Sequence, residues 1–151
     1  MSYFRVNSYL GGILTPAAPG DAVSLGEIAT IINNAAAQTL PAVALIGQVI
    51  LRQNAGAVTD TTDTGSAIMQ GLYGNVGSEP RIGEGFLVWY SNWGVSAITL
   101  AGGVGVTMTG NTSVPATSTR MILFVCTFSG VKTFLGGVYT NVGATFTAQV
   151  M

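Results

Sequence analysis

At 151 residues the chain has room for one domain with a sizeable core, since proteins of this size bury about 68–70% of their unfolded surface. Only 7% of its residues are charged and the net charge is −1, so it lacks the basic field that binds a phosphate backbone, and direct nucleic-acid binding is excluded. Histidine is absent and Cys126 is the single cysteine, which excludes an intrachain disulfide and a Cys/His zinc site.

Residues 1–20 mix aromatics with "YLGG" and "TPAAPG", a composition suited to turns and an extended arm. No basic stretch precedes a clean apolar run there, so no signal peptide is expected. "SLGEIATIINNAAAQTL" opens with Ser24 and Glu27 at capping-box spacing, and Ile28, Ile31, Ile32 and Ala35 follow at helical spacing. A short helix over 25–38 is predicted, ended by Pro41. The uncharged window 28–51 is broken by Asn33, Asn34, Gln38, Pro41 and Gln48, so no membrane span is expected.

Residues 42–52, "AVALIGQVILR", are aliphatic and β-branched between Pro41 and the turn-forming "NAG", which predicts a buried strand. In "TDTTDTGSAIMQGL", Asp63 or Thr64 caps a brief helical turn that carries Ala67, Ile68 and Leu72 inward, with Gly71 and Gly74 stopping it. Strands then run to the end: "GFLVWYSNW", "SAITLA", "GVTMTG", "TRMILFVCTF", "VKTFLGGVY" and "ATFTAQV", separated by Gly, Asn, Ser and Pro at the spacing of a sandwich or barrel. The fold class expected is therefore all-β: an antiparallel, jelly-roll-like β-sandwich over 42–151, with an N-terminal arm over 1–41 and one or two short helices.

Alternation along these strands leaves both faces apolar. In "MILFVCTF", Met121, Leu123 and Val125 project one way and Ile122, Phe124, Cys126 and Phe128 the other; "FLVWY" sets Phe86, Val88 and Tyr90 against Leu87 and Trp89. A sandwich strand ordinarily shows one polar face to water. A second apolar face needs a cover, and with few charges to keep copies apart the expected cover is an identical neighbour. Phe86, Val88, Trp89, Tyr90, Ile122, Phe124 and Phe128 are the subunit-interface candidates. The neutral stretch "ITLAGGVGVTMTGNTSVPATSTR" adds strands with one apolar and one hydroxylated face, in which Thr supports strand geometry while remaining wettable.

No catalytic constellation emerges. Asp60 and Asp63 are explained by a helix cap and a salt link to Arg52, and no histidine is present to relay a proton. "TDTTDTG" lacks the spacing and terminal Glu of a calcium loop. "GGVGVTMTG" has no following Lys and sits between strands, unlike a phosphate-binding loop. No enzyme activity, cofactor or metal is expected. Cys126 reads as a small buried hydrophobe.

The succession from "GQVILRQNAGAVTDTTDTGSAIMQGL" through "RIGEGFLVWYSNW" to "ITLAGGVGVTMTGNTSVPATSTRMILFVCTF" resembles a module of virion structural proteins of bacteriophages and large DNA viruses. In that module an Arg-bearing strand precedes a "TDT" step and a short helix, followed by a Gly-rich strand start and a strand ending in Asn. The likeness covers residues 42 to about 140. It places Arg52, Asp60, Thr61 and Asp63 on the "R…TDT" step, and Gly85, Phe86, Asn92, Gly105 and Arg120 on the strand-and-turn positions. The cluster Trp89, Tyr90, Trp93 is heavier in aromatics than the pattern requires, and residues 1–41 lie outside it.

The resemblance implies a β-sandwich module, often trimeric, serving as capsid decoration, cement, minor capsid or spike component. Its partners would be itself and other capsid proteins, in a virion assembled in the host cytoplasm. The alternative is a carbohydrate- or receptor-binding module of a viral fibre or a lectin, with Trp93 as the glycan contact beside Tyr90 and neighbouring Asn and Thr side chains.

Overall fold

The computed structural model describes residues 29–76, 81–136 and 138–151. Two sheets dominate. The larger has six strands in the order β1(Ala29–Asn33), β3(Val49–Gln53), β5(Gly85–Asn92), β9(Ser118–Phe128), β12(Thr145–Val150), β7(Val106–Gly110). The smaller has four in the order β2(Thr39–Leu40), β4(Val58–Thr62), β6(Ile98–Ala101), β8(Ser113–Val114). A separate hairpin pairs β10(Val131–Leu135) with β11(Val138–Val142). Helix α1(Ala42–Ile46) lies between β2 and β3, and α2(Gly65–Val76) between β4 and β5.

From β1 to β6 the chain alternates between the two sheets, and each strand pairs in parallel with the strand two places on. Ala29 pairs with Val49 and Val49 with Trp89, spacings of 20 and 40 residues. The sequence carries the same period: Ala37-Gln38-Thr39, Ala57-Val58-Thr59 and Ala97-Ile98-Thr99 recur at 20 and 40 residues. Three stacked coils thus form the first half of the fold. The later strands close it: β9 runs antiparallel to both β5 and β12, and β8 runs antiparallel to β6.

One core joins the layers. The six-stranded sheet contributes Ile50, Phe86, Val88, Tyr90, Ile122, Phe124, Cys126, Phe146, Ala148 and Val150. The smaller sheet adds Leu40, Ile98, Leu100 and Val114, and the helices add Leu45, Ile68, Met69 and Leu72. Phe86 stacks on Phe124, with ring centroids 4.9 Å apart and 4° between planes, and meets Phe146 edge-on at 6.4 Å. Both are favourable arrangements of the ring quadrupoles.

The chain is β-rich, as expected, but pairing is mixed where antiparallel order was expected. Residues 29–33 of the helix predicted over 25–38 form strand β1, while 24–28 lie outside the described residues. The β-branched run Thr30-Ile31-Ile32 favours an extended backbone, and ladder bonds to β3 with burial of Ile32 against the core decide the matter. The strand predicted over 42–52 begins at Val49. Its first residues form α1 instead, because Pro41, with φ −66°, sits at the N-cap position, where a missing N–H costs nothing.

Helix α2 runs 12 residues, longer than the brief turn expected. Gly71 lies within it where a Cβ would collide with Ile46 Cδ1, so this glycine permits close packing of α1 on α2 rather than ending the helix. "VKTFLGGVY" supplies β10 and the start of β11, two strands where one was expected. The expected boundary at residue 41 falls among paired strands, since β1 and β2 share their sheets with β3 and β4.

Candidate functional site

Arg52 and Asp60 form a buried ion pair between the sheets, both with side chains 0% exposed and Arg52 Nε 2.7 Å from Asp60 Oδ2. Arg52 Nη2 donates to Asp60 Oδ1 at 3.3 Å and to the Ala36 carbonyl at 2.7 Å, and Nη1 donates to the carbonyls of Asn34 and Gln53. The Tyr90 hydroxyl donates to Asp60 Oδ2 at 2.6 Å, and the Gln38 amide to Oδ1 at 2.9 Å. All five guanidinium N–H groups and both carboxylate oxygens therefore have partners. A network so completely satisfied offers no open valence to a substrate; it orders the first two coils and ties β3, β4 and β5 together. Burial, and next the bond to Asp60, push the Tyr90 hydroxyl well above the usual phenol range.

The other motif residues are also structural. Asp63 Oδ2 accepts from the Ala42 amide at the start of α1 and Oδ1 from the Thr64 amide, while Thr64 Oγ1 accepts from the Ala67 amide as the cap of α2. Thr61 is half-buried on β4, beside Thr39 of β2. Asn92 is buried; its Nδ2 donates to the carbonyls of Ser96, Val114 and Pro115, and its Oδ1 accepts from the Gly94 amide. Arg120 Nε reaches the Ser113 carbonyl at 3.4 Å. The expected Arg52 link was legible from residue types and spacing. Participation of Tyr90 was not, because 30 residues separate it from Asp60.

Of the subunit-interface candidates, Phe86, Val88, Tyr90, Ile122 and Phe124 lie in the chain's own core. The smaller sheet and helices cover that face, so these five are not available to a neighbour. Tyr90 is likewise withdrawn from any glycan contact. Trp89 and Phe128 are exposed, at 48% and 45%.

The open surface is the opposite face of the six-stranded sheet. No ionisable side chain projects from it: Ile31 and Asn33 of β1, Val49, Leu51 and Gln53 of β3, and Leu87, Trp89 and Ser91 of β5 meet Thr119, Met121, Leu123, Val125 and Thr127 of β9. Beyond them β12 and β7 present Thr145, Thr147, Gln149, Thr107 and Thr109. The face divides in two. At one end Val49, Trp89 and Met121 lie in one cross-strand row, and Leu87 pairs with Leu123, beside Val125. At the other end Leu51 pairs with Ser91 and Ser91 with Thr119, while Asn33 pairs with Gln53. There Ser91 Oγ lies 2.9 Å from Thr119 Oγ1, and Trp93 Nε1 donates to Ser91 Oγ at 2.7 Å.

No family model, curated protein or solved structure matches the chain. Among the described residues no helix is long and apolar enough to cross a membrane.

Proposed function

We propose that this chain is a structural subunit of a virus particle, a β-sandwich that assembles with copies of itself, as a trimer, and serves as a capsid decoration, cement, minor capsid or spike-base component. The carrying observation is the apolar end of the open sheet face: Leu87 and Trp89 stay 38% and 48% exposed beside Val49, Met121, Leu123 and Val125, with no ionisable side chain on the whole face. A contiguous apolar patch ringed by hydroxyls has the anatomy of a subunit interface. An uncharged face exerts no repulsion on its own copy, so a second subunit is a fitting cover.

The mechanism is burial. Apolar area removed from water contributes about 25 cal/mol per Å² before the cost of association is subtracted. The hydroxyl-rich remainder of the shell, with Thr107, Thr109, Thr145 and Thr147 on the same face, supports solubility without charge. The virion assignment adds the motif order of residues 42 to about 140 to this surface chemistry. In this reading the chain is not an enzyme, and other capsid proteins are its further partners.

Mass spectrometry of purified particles from a producing culture tests the assignment. The chain should be recovered as a stoichiometric component that resists salt washing, because its contacts are apolar. Particles of normal composition and infectivity that contain none of it would overturn the assignment.

A further inference from the structure

We propose that the polar end of the open sheet face, centred on Trp93, binds a neutral glycan. This site is distinct from the apolar end assigned to subunit contact and rests on different residues. Trp93 is 67% exposed, just past the end of β5. Its only donor is committed, since Nε1–H is bonded to Ser91 Oγ and Ser91 Oγ in turn lies beside Thr119 Oγ1. The ring is therefore held in place and offers a ligand its π faces alone, the surface on which the C–H face of a pyranose stacks.

The surroundings select the ligand. Trp93 donates its backbone amide to the Arg52 carbonyl, which sets it beside Gln53, and Gln53 pairs with Asn33 on β1. Both carboxamides are exposed, and each carries donor and acceptor atoms together, as a sugar hydroxyl does. A second copy laid over this end would bury two carboxamides and need a matched partner for each. No side chain here carries a charge, so the patch provides no counter-ion for a sialylated glycan and none for a phosphate backbone. A neutral oligosaccharide fits both the stacking surface and the hydrogen-bonding groups.

The test uses the full chain carrying Trp89→Phe, which leaves Trp93 as its single indole because the sequence holds two tryptophans. Tryptophan fluorescence is followed while neutral trisaccharides of glucose, mannose, galactose and N-acetylglucosamine are added, with sialyllactose as the charged comparison. At least one neutral sugar should shift the Trp93 emission saturably and sialyllactose should add nothing to it. In the parent chain, Trp93→Ala should weaken binding of that sugar, measured by calorimetry, about tenfold, the loss expected for one aromatic contact. Light scattering should show its oligomeric state unchanged. Gln53→Ala carries the same test should Trp93→Ala fail to fold. No saturable response to any neutral sugar, a response to sialyllactose alone, or loss of oligomerisation on Trp93→Ala would each overturn the proposal; the last would assign this end to a second copy.

Discussion

The Tyr90 hydroxyl lies 2.6 Å from Asp60 Oδ2, joining β5 of the larger sheet to β4 of the smaller one at the carboxylate that also holds Arg52. Two charges are thus kept inside the molecule with every polar atom partnered. Removing one partner of such a pair is far more damaging than its net contribution suggests, because the other charge is left buried. Arg52→Met strands Asp60 and also the carbonyls of Asn34, Ala36 and Gln53. It should lower stability by about 3–5 kcal/mol. Tyr90→Phe removes a single bond to a charged acceptor and should cost about 1.5–3 kcal/mol. Urea denaturation followed by circular dichroism measures both, and equal, small losses would show that the network is dispensable.

Stability should decline in alkali. Burial raises the Tyr90 hydroxyl and, likewise, the Cys126 thiol, so each has a higher pKa folded than unfolded. The neutral form is the one the fold favours. The contribution of each is complete below its unfolded value, about 8.5 for a thiol and about 10 for a phenol, and is lost as pH rises toward the folded value. Urea midpoints measured from neutral pH upward should fall first above the thiol range and then more steeply above the phenol range. Cys126→Ala should remove the first part and Tyr90→Phe the second.

Two glycines in successive turns should respond oppositely to alanine. A Cβ on Gly94 would run into the side chain and backbone of Asn54, whereas one on Gly56 would meet nothing within 4 Å. Gly94→Ala should destabilise by roughly 1–3 kcal/mol, the cost of forcing extra volume into a packed site. Gly56→Ala should be neutral or gain up to about 1 kcal/mol through the unfolded chain. Thermal melts of the two variants decide this.

Legibility of the fold followed the kind of signal available. From Gly85 to Phe128 the period-two alternation marked strands and faces, and the structure buries Ile122, Phe124 and Cys126 while leaving Met121, Leu123 and Val125 half-exposed. Ahead of Gly85 the local signals conflicted. Ile28, Ile31 and Ile32 fit a helical period as well as a strand, and pairing with β3, a contact 20 residues away, settled the outcome. The parallel coils were written in the Ala-x-Thr repeats at 37, 57 and 97, a cue at a period longer than any one element. Which aromatic faced inward could not be read locally. Tyr90 and Trp89 are adjacent, and only the position of the smaller sheet buries one and exposes the other.

The apolar end of the sheet face should govern assembly without governing folding. Leu87 and Leu123 are cross-strand partners on that end. Leu87→Ser with Leu123→Ser should leave the circular dichroism spectrum and melting point nearly unchanged, since surface changes away from the core usually lie within about 0.5 kcal/mol.

Multi-angle light scattering across a dilution series, run on the parent chain and on the Leu87→Ser/Leu123→Ser variant, bears most directly on the claim that this face meets another subunit. The parent should hold a discrete oligomeric mass, a trimer, at low micromolar concentration, and the variant should run as a folded monomer. A parent chain that stays monomeric and folded at every concentration, its apolar face open to water, would contradict the account.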